Sequence, residues 1–89
     1  MIEIVELAEH EWALQVQISE VGEVSYHKVR VSEDDVKDLG ARDERTLVLE
    51  SVETYLAHCP STSLPKILTL TWLEKTVPDF RHELTSRLA

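Results

Sequence analysis

Apolar residues recur at two different periods along this chain, and the change of period marks out its elements. Residues 12–18 alternate, with Trp12, Leu14, Val16 and Ile18 on one side and Ala13, Gln15 and Gln17 on the other. A period of two belongs to a strand with one buried face. Gly22 follows, a residue that adopts the positive φ a chain reversal needs. The alternation then resumes: His27, Val29 and Val31 share one face, while Val24, Tyr26, Lys28 and Arg30 share the other. An antiparallel hairpin is predicted, with strands over about 12–19 and 23–31. Val24 and Tyr26 on the second face predict a bulge or a partly covered outer face. Residues 2–7 are β-branched and alternate loosely, with Ile2/Ile4 or Val5/Leu7 inward, and are predicted as a further strand. Residues 8–11 form a polar connection to the hairpin.

Beyond the hairpin the spacing becomes helical. In residues 44–59, Val48, Val52, Tyr55 and Cys59 recur at four, three and four, with Leu49 and Leu56 beside them. That is a broad stripe facing a core. Asp43 is placed to cap this helix, Glu44 suits the positive end of its dipole, and Pro60 stops it. Its length, about 24 Å at ~1.5 Å per residue, crosses a small sheet. Ser32, Glu33, Asp34 and Asp35 form a capping box opening a helix over 33–39, with Val36 and Leu39 inward and Gly40 as its left-handed end. After Pro60 comes a turn-rich connector in which Ser63 caps a short turn containing Pro65. Ile67, Leu68 and Leu70 are predicted buried. Helices over 71–77 (Trp72, Leu73, Val77) and 79–88 (Phe80, Leu84, Leu88) follow, separated by Pro78. The prediction is one α+β domain: an antiparallel meander of two or three strands, covered on one face by the long helix and sealed by Trp72 and Phe80.

Composition narrows the class without naming a function. Eighty-nine residues allow a single domain with one modest core. No apolar run approaches the ~18 residues of a membrane span. The start lacks the basic and apolar regions of a secretory signal. A lone Cys59 cannot form an internal disulfide, so a reducing cytoplasm is expected. The net charge is −8 and lies entirely in residues 1–44, with twelve acids against four bases; residues 45–89 hold five of each. An acidic surface repels nucleic-acid phosphates and anionic lipid.

The order of elements resembles a family of short bacterial and archaeal proteins of uncharacterised activity. The resemblance spans about residues 12–84. It is carried by His27-x-Val29-x-Val31, the capped helix, Leu47-Val48-x-x-Ser51, Pro60, Ile67-Leu68 and Pro78-Asp79-Phe80. The chain departs from it in having His58-Cys59-Pro60 where an acidic Arg-Glu-Pro-like helix end would stand. It implies the element order above and brings no activity, cofactor or site residue.

No constellation in the chain carries catalysis. His58 and Cys59 diverge by about 100° on a helix and share a metal poorly. His10, His27 and His82 lie in different elements with no partner one turn away. Glu33, Asp34 and Asp35 are accounted for by capping, and no calcium-loop spacing exists. Gly22 and Gly40 alone cannot cradle a phosphate. Cys59 at a helix C-terminus is at the wrong end for a thiolate, and is expected to be a buried small apolar residue. His27 is expected to be a hydrogen-bonded residue at the core's edge. The chain is therefore read as non-enzymatic, without cofactor or metal. The expectation is a cytoplasmic interaction module that binds itself or another protein through Val24, Tyr26, Lys28 and Arg30. The alternative is a ribbon-helix-helix-like DNA-binding regulator, in which Lys28 and Arg30 would read bases from a strand paired across a two-fold axis. A first helix of about two turns, the strand's own hairpin partner and the acidic half oppose that alternative.

Overall fold

The computed structural model describes residues 2–17 and 22–88. Strand β1 (Ile2–Ala8) turns tightly at Glu9 and His10 into β2 (Glu11–Gln17), and β3 (Val24–Arg30) pairs antiparallel with β2. His10 takes φ 64°, a left-handed conformation that a non-glycine residue adopts at a cost. The bulge lies on β1, between Glu6 and Ala8, and not on β3, whose register with β2 is continuous. Tyr26 therefore faces out because its side of the strand is uncovered. Gly22 has the positive φ (94°) the reversal calls for. Ile18, predicted inward, lies outside the described residues, as does the predicted end of that strand.

A fourth strand corrects the predicted meander. β4 (Ile67–Thr69) pairs parallel with β3, so the sheet is mixed, in the order β1-β2-β3-β4. Its period of two splits a pair that was expected to be buried together: Leu68 is buried against Val29, while Ile67 is 51% exposed beside Lys28. The connector before β4 is a short 3-10 turn, Ser61–Ser63. In it the Ser63 hydroxyl donates to the Pro60 carbonyl instead of capping a turn around Pro65.

The helices are α1 (Glu33–Leu39), α2 (Glu44–His58), α3 (Leu70–Thr76) and α4 (Phe80–Leu88). Ser32 closes a capping box with Asp35, and Gly40 ends α1 at φ 71°. Asp43 accepts from the Thr46 N–H at 2.7 Å, and that bond holds its carboxyl below the usual range. Thr69 caps α3, which follows β4 without a connecting residue. Asp79 sits at φ 55° outside α4, so that helix starts one residue later than predicted.

One core joins everything. Ile4, Trp12, Leu14, Val16, Val29 and Leu68 from the sheet meet Leu39, Val48, Val52, Tyr55, Leu73, Phe80 and Leu84 from the helices. Ile2/Ile4 is thus the inward set of β1. The buried face of α2 is Leu47, Val48, Ser51, Val52, Thr54 and Tyr55. This is rotated from the predicted stripe, and Leu49, Leu56 and Cys59 are only half-buried. The rotation arises because α2 is covered by α4 as well as by the sheet. His58 Nε2 and Glu83 Oε1 join the two helices at 2.8 Å. Tyr55 packs against Trp72, ring centroids 5.7 Å apart.

Two polar residues fall within this buried face. The Thr54 hydroxyl donates to the Glu50 carbonyl, but the Ser51 hydroxyl has no hydrogen-bond partner among the described residues. Val52→Asp should unfold the domain, since it buries an unpaired charge, whereas Glu50→Ala should change stability by less than about 0.5 kcal/mol. Equal thermal melts for the two would contradict the placement of α2. Ser51→Ala should stabilise by about 1 kcal/mol, because it removes an unpartnered buried hydroxyl and improves helix propensity. A lower melting temperature for this variant would mean that the hydroxyl is satisfied.

Candidate functional site

The alternation that buries one face of the sheet sends every other side chain to the opposite face. The cross-strand registers place Glu3, Gln15 and Tyr26 in one outward row. Val5, Ala13, Lys28 and Ile67 make the next row, and Glu11, Arg30 and Thr69 the third. All four helices contribute their buried side chains to the inner core, so none covers this face. Val5 is 60%, Tyr26 70% and Ile67 51% exposed. With Leu7, the extra residue at the bulge, these are the large apolar side chains left exposed among the described residues. A shallow depression of about 160 Å³ lies between Glu3, Val5, Ala13, Gln15 and Tyr26.

The four residues singled out from the sequence fall together on β3. Tyr26 is open, Val24 and Lys28 are half-buried, and Arg30 is exposed, with its Nε 3.3 Å from Glu11 Oε1. Val5, Ala13 and Ile67, not among the candidate residues of the sequence, complete the face. The alternation of residues 2–7 sets Val5 opposite Ile4 without deciding which of the two faces inward, and Ile67 could not be placed without knowing that β4 joins the sheet. Both edges of β3 are occupied, by β2 and by β4. Pairing Lys28 and Arg30 across a two-fold, as a ribbon-helix-helix dimer requires, would mean stripping one of these neighbours away.

Other clusters have structural explanations. His27 lies between β3 and the connector: its Nδ1 donates to the Pro65 carbonyl, leaving Nε2 to accept from the Ser25 hydroxyl at 2.7 Å. The Glu44 carboxylate receives Trp12 Nε1–H at 3.0 Å on one oxygen and His10 Nδ1 at 2.8 Å on the other. It therefore fastens the first turn of α2 to the β1–β2 hairpin. Glu9, His10 and Glu33 bring ligand atoms within 4.8 Å of one another. The His10 ring is already held by Glu44, and its attraction to these carboxylates accounts for the grouping without a cation. A groove of about 650 Å³ beside the Cys59 end of α2 has Glu53 and Cys59 as its ionisable lining residues among those described.

No family model matches this chain, and neither does any curated protein or solved structure. Among the described residues no helix is long and apolar enough to cross a membrane.

The hydrogen bond to Glu44 raises the pKa of His10 above its ordinary 6.5, with the charges of Glu44, Glu9 and Glu33 acting in the same direction and desolvation opposing them. A raised folded-state value means that this contribution to stability is complete below about 6.5 and fades as the pH climbs through the raised value. The His10 ring proton, followed by NMR, should titrate above the ordinary midpoint. In Glu44→Gln, which keeps an acceptor for Trp12 but removes the charge, the midpoint should fall back. An unchanged midpoint would mean that the pair does not persist in solution.

Proposed function

We propose that the protein is a non-catalytic protein–protein interaction module whose binding surface is the outer face of its sheet. The observation that carries this reading is the one-sided burial of the sheet: among the described residues the exposed large apolar side chains, on β1, β3 and β4, gather opposite the helices. Apolar patches shared by neighbouring elements mark contact surfaces, whereas single exposed residues do not. The clusters of ionisable side chains are taken up by capping, by the Glu44 bridge and by the His27 bonds, which supports a role without catalysis. The unpaired Cys59 supports a reducing compartment, and the cytoplasm is the proposed location.

The test places a photoreactive benzophenone side chain at position 26, on the face, or at position 86, an exposed position of α4. In cells that make the protein, illumination should give a covalent protein adduct from position 26 and none from position 86. The adduct should fade when Val5→Ser and Ile67→Ser are added. No adduct at position 26, or equal adducts at both positions, would overturn the proposal.

A further inference from the structure

The outer face is electrically two-sided. Its β1 and β2 half carries Glu3 and Glu11, and its β3 and β4 half carries Lys28 and Arg30. Apolar groups flank both halves, with Val5 near the β1 edge, Ile67 on the β4 edge, and Ala13 and Tyr26 between them. A surface of this kind complements itself under one symmetry operation. Turning a second copy about a two-fold axis parallel to the strands lays β1 over the other's β4 and β2 over its β3, and keeps each row above the same row. Glu11 then faces Arg30 of the second copy, and Val5 faces its Ile67, which lands beside the depression lined by Val5, Ala13 and Tyr26. An axis perpendicular to the strands would instead lay each strand over its own copy, with the acidic half over the acidic half and the basic half over the basic half. Both operations are compatible with aligned sheet packing, so charge is what separates them.

We infer that the occupant of this face is a second copy of the chain, packed sheet on sheet with the acidic half of each over the basic half of the other. The inference rests on the proposed function, since it names the partner of the same surface. Apolar packing supplies the affinity, and the charged pairs set the orientation. Strands of about 23 Å, laid side by side at ~4.8 Å, give a footprint of roughly 400 Å² per subunit. That is about half the ~800 Å² each partner contributes to a standard interface, so the dimer is weak and its population depends on concentration.

The experiment uses sedimentation equilibrium and native mass spectrometry with one chain isotope-labelled. The wild type should show a concentration-dependent mass that is lost in Tyr26→Ser with the fold retained by circular dichroism. The double variant Glu11→Arg/Arg30→Glu reverses the pair within each chain and between chains, so it should dimerise with itself to within about threefold of the wild type. Mixed with wild type, it should form fewer mixed dimers than the statistical half, because Glu then meets Glu and Arg meets Arg. Mixed dimers at or above the statistical half would overturn the inferred orientation. A wild type that stays monomeric up to ~1 mM would overturn the second copy as occupant. The interaction module itself survives that result if position 26, and not position 86, still captures a different protein in cells, and falls if nothing is captured at position 26 or if both positions capture equally.

Discussion

The parallel pairing of β4 with β3 is the contact that makes one domain of a hairpin and a set of short helices. It spans only three residues, yet it ties positions nearly forty apart: the Lys28 N–H donates to the Lys66 carbonyl at 2.7 Å, and His27 reaches the Pro65 carbonyl beside it. Leu68 enters the core next to Val29, and Leu70 opens α3 at once, so the C-terminal third is delivered to the inner face of the sheet. Without that pairing, β3 would have a free edge, and Leu68 would lose its place beside Val29. The same pairing makes β3 an interior strand, which turns its outward side chains from an edge into the middle of a face.

The Glu44 carboxylate holds the other end of the molecule. A carboxylate at the first turn of a helix is stabilised by the helix dipole. Here it also accepts from the indole of Trp12 and binds the imidazole of His10. Three requirements meet in one side chain: the buried indole N–H finds a partner, the left-handed turn at His10 is held, and α2 is set against the hairpin. Other acids of residues 1–44 are similarly engaged, with Asp35 and Asp43 on helix caps and Glu11 on Arg30. The net charge follows in part from these local structural duties.

All four helices take the inner face because the period-two alternation concentrates the large buried side chains there. The outer face keeps Val5, Tyr26 and Ile67 among Glu3, Glu11, Lys28 and Arg30. Charges interleaved with apolar groups discourage indiscriminate sticking while leaving a surface that a matching pattern can cover. A small domain with one sheet and helices on one side has its unfinished surface on the sheet, and its function is proposed to lie there.

What the sequence determined by itself was local. The alternation of Trp12, Leu14 and Val16, the Ser32 capping box, Asp43 as cap, Gly40 as helix end and the outward set Val24, Tyr26, Lys28 and Arg30 all depend on neighbours a few residues away, where period and cap chemistry act. What the tertiary structure decided depends on distant partners. A strand of three residues is too short to show a period, so β4 was legible only as apolar residues, and its Ile67 was assigned to the core. The rotation of α2 toward Ser51 and Thr54 followed from α4 packing on that side, which no spacing within α2 can reveal. The meeting of Glu44 with His10 and Trp12, more than thirty residues apart in the chain, exists because the hairpin and α2 share one core. Local sequence sets which side of an element is apolar, and only the packed chain decides which elements are there to cover it.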